Sequence, residues 1–385
     1  MDTPDGFLQM SHALGLNDTL WVRPEASTLR WADISLYANP FNDIAARTVF
    51  EAESRWPRPS STSPEFTMDG SYPKCWRKET NGILMYKTGS TGLEPYAEFM
   101  AAQIAKTMQD VHVVEYGLAR FKGHLCSTCR LFTDESTGFV PAARLLPQHL
   151  SHNMVNALDL CRSMGFEREF YDMVVLDAVT LNQDRHMYNF GFLVDNDTFR
   201  IKSFAPLFDF NISMLCFATN VDLETDAALD SYLRCHNIGH KLGGDFVEVA
   251  QALMTPERRA RMAEAVSLPR HPLHNLPDKR MDRLAAILER NYDCIRNGRG
   301  YRRPATMIET PPQPDDEHDL PPFLIESIAA MQAAWDKLDR GEQYINWDCD
   351  YCQLQSDINN AEVNLIISPE RAWHLREKYL SNERP

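Results

Sequence analysis

Two short stretches constrain this chain more than anything else in it: Asn182-Gln183-Asp184-Arg185-His186-Met187-Tyr188-Asn189 and Ala205-Pro206-Leu207-Phe208-Asp209. An asparagine stands five residues after Asp184, and a second aspartate stands twenty residues after that asparagine. Between them, Phe190-Gly191-Phe192-Leu193-Val194 predicts a strand, Asp195-Asn196-Asp197 a turn and residues 199–202 a returning strand. Such a hairpin brings Asp209 back beside the loop that holds Asp184 and Asn189. A carboxylate at Asp184 can take a proton from a hydroxyl. The oxygens of Asn189 and Asp209 suit Mg2+, a hard cation that uses few protein ligands and keeps several waters. Arg185 and His186 are expected to brace the loop rather than react.

That spacing is the one found in phosphoryl-transfer sites of the protein-kinase type. Such a site also needs a lysine for the phosphates of ATP and a helix glutamate to hold it. Asn81-Gly82 is a hairpin turn signal between strands expected at Lys74–Glu79 and at 83–88. Lys87 shares a strand face with Ile83 and Met85, because side chains alternate along a strand. On the next predicted helix, residues 94–108, Glu98 flanks the apolar stripe Tyr96, Met100, Ile104 and Met108. Glu98 is therefore the expected partner of Lys87, and Glu94 complements the helix start. Gly70, with Ser71, lies just before the hairpin, where a glycine lets backbone N–H groups approach a phosphate. Neither a GxGxxG loop nor a P-loop is present.

Composition bounds the rest. The 385 residues carry a net charge of −15, of which residues 301–385 contribute −8. A chain this acidic is a poor non-specific binder of nucleic acid or anionic membrane. No run of 18 apolar residues exists, and the acidic start lacks an apolar signal core. Nine scattered cysteines, an odd number, point to reduced thiols and a cytoplasmic setting. Cys126/Cys129 and Cys349/Cys352 are Cys-x-x-Cys pairs, but the first lies on a predicted strand, where i and i+3 face opposite ways.

No internal repeat is found. Strands at 111–121 and 124–132 precede helices at 154–164, 166–181, 246–253, 256–266 and 281–295. A strand-rich start before a helix-rich remainder predicts an α+β, two-lobed protein-kinase-like fold with a helical C-terminal appendage. The expected divisions are an N-terminal extension (1–64), an N-lobe (65–135), a C-lobe (136–300), an acidic Pro-rich linker (301–322) and the appendage (323–385). In the appendage Leu324, Ile328, Met331, Trp335 and Leu338 form an apolar stripe, and Ser368-Pro369-Glu370 is a helix start. Packing on the C-lobe or a docking role are the readings for it.

Asn182-x-Asp184-x-His186-x-x-Asn189-Phe190, with Ala205-Pro206-Leu207-Phe208-Asp209, resembles the catalytic and metal-binding motifs of HipA-type bacterial serine/threonine kinases. The similarity covers about residues 65–300. The family's phosphate loop, S-x-x-G-x-Q-x-K, is similar to Thr67-Met68-Asp69-Gly70-Ser71-Tyr72-Pro73-Lys74, with tyrosine in place of glutamine. The resemblance implies Gly70, Ser71 and Lys74 on the phosphates, Lys87 and Glu98 as the ion pair, and the hinge around Phe132. It places the family's inhibitory autophosphorylation on Thr67. It implies ATP and Mg2+ as cofactors, a protein substrate and a cytoplasmic bacterial kinase. Family members use an extra N-terminal subdomain in partner binding, toxin–antitoxin pairing included; residues 1–60 are short for one. A regulatory protein partner thus rests on the resemblance alone. Two alternatives stay open: a non-catalytic kinase-like protein that binds ATP or a partner, and a phosphoinositide-type lipid kinase, since Asp-Arg-His-x-x-Asn occurs there too.

Overall fold

The computed structural model describes residues 8, 11–41, 50, 64, 72–80, 82–147, 150–298, 320–340, 347–363, 367 and 369–380. They form an α+β fold, divided into two compact units, Met1–Arg302 and Arg303–Pro385. After a single-turn helix, α1 (Trp31–Ile34), the first unit builds an antiparallel sheet. Its strands are β1 (Lys74–Glu79), β2 (Gly82–Lys87), β3 (Tyr116–Phe121) and β4 (His124–Arg130), in the order β1-β2-β4-β3. Gly82 takes φ +119° at the β1–β2 turn, a conformation open to glycine and strained for other residues. Lys87 lies opposite Lys74 on one side and Ser127 on the other, so the middle of the sheet presents Lys87 from a paired, rigid strand.

Helix α2 (Glu94–Ala105) packs on β3 and β4. It is buried on nearly every side, and Glu98 lies within it without solvent contact. The helix ends at Ala105, short of the expected Met108, because Met108 turns away to bridge Met262. Strand β3 likewise begins at Tyr116, not at Val111. Residues 112–114 are taken by another partner: Val114 N–H donates to Leu207 O (2.9 Å) and Leu207 N–H to His112 O (2.8 Å). That parallel bridge fixes the approach to Asp209 two residues later.

A second antiparallel sheet joins β5 (Thr137–Pro141), β6 (Gly191–Asp195) and β7 (Ile201–Phe204). The β6–β7 hairpin follows the apolar pattern that predicts it; β5, with its Gly and Pro, does not stand out in the sequence. The helical half holds α3 (Ala142–Leu145), α4 (Met154–Ser163), α5 (Glu167–Thr180), α6 (Asp226–Cys235), α7 (Phe246–Ala252), α8 (Pro256–Arg261) and α9 (Asp278–Asn297). Helix α5 is its spine: Phe170, Met173, Val174, Val175 and Leu176 are enclosed in the core. Two aspartates share that enclosure. Asp172 accepts from Arg258 Nε (2.8 Å) and Arg261 Nη1 (2.7 Å), which ties α8 to α5. Asp177 serves the site described below.

Residues 11–41 form a cover rather than a loose extension. Leu14, Leu16, Ile34 and Leu36 make an apolar cluster with Trp76, Ile83 and Leu131 of the sheet. Trp31 Nε1 and Ser35 Oγ both donate to Glu135 (2.9 Å each), and Phe139 N–H donates to Asn17 O (2.7 Å). Among the described residues no helix is long and apolar enough to cross a membrane.

In the second unit, α10 (Pro322–Asp339), α11 (Trp347–Val363) and α12 (Pro369–Leu380) share a core of Leu324, Ile328, Met331, Leu354, Ile358 and Leu375. Helix α11 is not evident from sequence because its apolar stripe is thin, with Ser, Asp and Asn between Leu354, Ile358 and Ala361. Met331 is completely enclosed. Met331→Ala is expected to destabilise this unit by about 2–5 kcal/mol, the range for truncating a buried aliphatic side chain. Hydrogen exchange of α10–α12 checks it: amide protection there should fall by the matching factor.

Candidate active site

Helix α5 ends on Leu181, whose left-handed backbone (φ +55°) turns the chain sharply into the loop 182–189. Asp177 holds that turn. Its backbone carbonyl accepts Asn182 N–H (2.8 Å), and its carboxylate accepts Asn182 Nδ2 (2.8 Å), Arg185 Nε (2.9 Å) and Arg185 Nη2 (3.1 Å). Burial alone would push Asp177 up. The charge of Arg185 outweighs it, with His240 Nε2, 3.6 Å away, and the Arg185 hydrogen bonds adding, and the carboxyl is held below its usual range.

Arg185 is fully buried. Its remaining nitrogen, Nη1, donates to Asn189 O (2.5 Å) and to Phe208 O (2.6 Å). One guanidinium thus links the end of the loop to the residue before Asp209. Asp209 itself has φ +59°, a left-handed conformation that aspartate tolerates better than most side chains, and its N–H donates to the Tyr116 hydroxyl (3.2 Å).

Lys87, from β2, reaches this place. Its Nζ lies 2.9 Å from Glu98 Oε1 and 2.5 Å from Asp209 Oδ1. Burial alone would lower the ammonium's pKa, but the charges of Asp209 and Glu98 prevail and hold it above the ordinary lysine value. Asp209 is the reverse case: burial favours protonation, and the charge and hydrogen bond of Lys87, with Arg185 and Lys74 adding, keep it ionised. Glu98 is pushed up by burial, opposed by Lys87. Its second oxygen accepts the hydroxyl of Ser127, whose oxygen lies 3.2 Å from Lys87 O. Glu94 is turned elsewhere: it accepts Ser90 N–H (2.8 Å) and Thr91 N–H (3.0 Å) in its own capping loop.

Asn189 Nδ2 donates to Asp184 O (2.8 Å), which fixes the amide's orientation and leaves its oxygen, among the described residues, without a hydrogen-bond partner. The same holds for Oδ2 of Asp209. These two oxygens are a donor set that fits Mg2+. Asp184 is half-buried; burial pushes its carboxyl up, His186 opposes, Asp209 adds to the rise, and Lys241 and Arg185 reduce it.

Of the other residues singled out in the sequence, Lys74 starts β1 opposite Lys87, and its charge acts on Asp209. Phe132 packs its ring on Phe139 and Phe208 (5.6 Å between centroids in each case), behind the Asp209 segment. Thr67, Gly70 and Ser71 lie outside the described residues. Tyr72, where the resembled loop has glutamine, has its hydroxyl pushed up to about 12 by burial and by Glu94. Sequence reasoning missed Asp177, Ser127, Tyr116 and His240. A charged residue inside the apolar run of α5 was the available signal for Asp177.

No family model matches the chain, and no curated protein matches it. Among solved structures it is similar to the Helicobacter pylori proinflammatory kinase CtkA, with 17% identity and a TM-score of 0.49 over 61% of this chain and 92% of that one. It is also similar to a chain of the Shewanella oneidensis MR-1 toxin–antitoxin complex of HipA, HipB and operator DNA. There identity is 14% and the TM-score 0.41, over 74% of this chain and 79% of that one. With both TM-scores below 0.5, the functional reading rests on the side chains of this chain.

Asp177→Ala would leave the Arg185 guanidinium buried without its counter-ion, and is expected to cost about 3–5 kcal/mol. Urea denaturation followed by tryptophan fluorescence measures it. Because the folded-state pKa of Asp177 lies below the ordinary aspartate value of about 3.9, its contribution should be full above that pH and vanish as pH falls through the folded pKa.

Proposed function

We propose that this chain is an ATP-dependent protein kinase of the HipA-like type, which moves the terminal phosphoryl group of ATP to a serine or threonine hydroxyl of a protein. The observation that carries the reading is Lys87 held between Glu98 and Asp209, with Asp184 and Asn189 beside them. Protein kinases need a strand lysine, a helix glutamate, a loop aspartate with a following asparagine, and a second aspartate for the metal. Each role has a residue here on the matching kind of element.

In this reading Lys87 binds α- and β-phosphate oxygens, and Glu98 and Ser127 keep its ammonium in place. Gly70, Ser71 and Lys74 cover the phosphates, and the segment around Phe132 meets the adenine. Asn189 and Asp209 would hold Mg2+, which would supply neutralising charge for the phosphates. Asp184 receives the acceptor's hydroxyl proton as that oxygen bonds to phosphorus and the ADP oxygen leaves. The raised pKa of Asp184 suits a base that must hold a proton briefly. Thr67 is the proposed site of inhibitory autophosphorylation; a phosphate there adds nearly two negative charges beside those of ATP. The cytoplasm is the proposed setting, in keeping with the cysteines among the described residues, all of which are free thiols.

Asp184→Asn is expected to keep Mg-ATP binding and to lower phosphate transfer by roughly 10²–10⁴. Intact-mass and tandem mass spectrometry after incubation with Mg-ATP check it: phosphate should be found on Thr67 in the natural chain and be lost in the variant. A natural chain that binds Mg-ATP and transfers nothing, to itself or to a peptide, would instead be a non-catalytic ATP-binding protein.

Asp209→Asn keeps the side chain's size and its tolerance of the left-handed backbone while removing the charge. It is expected to weaken nucleotide binding in the presence of Mg2+ by about tenfold or more, with a smaller effect in EDTA. Calorimetric titration under the two conditions measures the difference. Equal losses would remove Asp209 from the metal site.

A further inference from the structure

The surface around Asp184 narrows the chemistry of the acceptor. Four pieces of the helical half meet there: α3, residues 150–153 ahead of α4, the loop 182–189 and the α6–α7 connection. Arg144, exposed on α3, sets its guanidinium carbon 5.9 Å from the centre of the Tyr188 ring. Tyr188 is 40% exposed and lies 6.1 Å from His152 and 6.2 Å from His186, ring to ring. His186 Nε2 is 4.0 Å from Asp184 Oδ2, which joins this cluster to the proposed base.

Lys241 arrives from the other connection. Its neighbours on both sides are buried anchors. His240 takes Leu242 N–H on Nδ1 (3.2 Å) and sets Nε2 3.6 Å from Asp177 Oδ2. Leu242 O accepts Met154 N–H (2.8 Å), two residues past His152. Between them Lys241 is exposed, and its charge acts on both Asp184 and His186. Among the described residues neither Lys241 nor Arg144 makes an ion pair. The other charged groups acting on Asp184 are His186, Asp209 and Arg185. The lysine and arginine charges this surface offers to a visitor are those of Arg144 and Lys241.

We infer that this surface receives an acidic protein segment, in which aspartate or glutamate flanks the acceptor hydroxyl, with Arg144 and Lys241 as counter-charges and Tyr188 as an apolar seat. The acceptor role rests on the kinase reading; the charge preference of the surface does not. A protein segment fits better than nucleic acid, since a chain of net charge −15 repels a long polyanion and two cations offset few phosphates.

The test uses the full chain and three fluorescein-labelled serine peptides of equal length, flanked by Glu, by Gln or by Lys. Anisotropy measures binding with Mg-ADP present, and mass spectrometry measures transfer from Mg-ATP. The Glu peptide is expected to bind about five- to tenfold more tightly than the Gln peptide, the sum of two exposed charge pairs. Arg144→Gln with Lys241→Gln should erase that difference, and Arg144→Glu with Lys241→Glu should reverse it, with ATP affinity unchanged. Glu-peptide binding with this charge dependence but without transfer would keep the surface and sink the kinase reading. Transfer with no preference for the Glu peptide, indifference to charge reversal, or no binding of any peptide would overturn the proposal. Tighter binding of a labelled single-stranded oligonucleotide, lost on charge reversal, would overturn it in favour of nucleic acid.

Discussion

The buried guanidinium of Arg185 is the group on which the rest of the site depends. An arginine with no solvent contact must satisfy its donors inside the protein or leave them at high cost. Here Asp177 takes two of its five N–H groups, and the carbonyls of Asn189 and Phe208 take two more. The ring of Phe210 lies 4.9 Å from its central carbon. Its partners come from the spine helix, from the end of the loop and from both sides of Asp209. Distances among Asp184, Asn189 and Asp209 are therefore set by one planar, rigid group rather than by loop conformation.

The second charged assembly, Lys87 with Glu98 and Asp209, behaves differently. Two carboxylates share a single ammonium; burial pushes both toward protonation, and it prevails at Glu98 but not at Asp209. Ser127 steadies Glu98 from the neighbouring strand, so the Lys87–Glu98 contact belongs to the sheet and helix together. Asp209 meets Lys87 from the other half of the unit, at the end of the segment that pairs with residues 112–114. The contact between the two halves is thus made by opposite charges at a place where both are drawn from water.

Short-range patterns made much of the fold legible. Asn81-Gly82 marked the β1–β2 hairpin, the apolar run Phe190–Val194 with the Asp195-Asn196-Asp197 turn marked β6 and β7, and the apolar run in α5 marked the spine. What escaped was set by distant partners. The strand expected from Val111 starts at Tyr116 because Leu207, far along the chain, takes residues 112–114. The helix expected to reach Met108 stops early because Met108 meets Met262. In the site, the spacing of Asp184, Asn189 and Asp209 was visible, and the fold gathers them with Lys87 and Glu98. The supports were less legible: Asp177 shows only as a charge inside the apolar run of α5, and nothing local distinguishes His240 from a histidine in a polar turn. Their importance comes from enclosure, which a single sequence does not display.

The backbone at Asp209 has a consequence for the way this position can vary. A left-handed conformation there favours glycine, asparagine and aspartate, and disfavours longer or branched side chains. The pairing with Lys87 favours a carboxylate. Glutamate meets the second demand and fails the first; glycine and asparagine do the opposite. Aspartate is the one residue in the overlap. The position is therefore closed to the gradual exchange of similar residues by which most surface positions drift, and any lineage that leaves it loses either the turn or the charge in a single step.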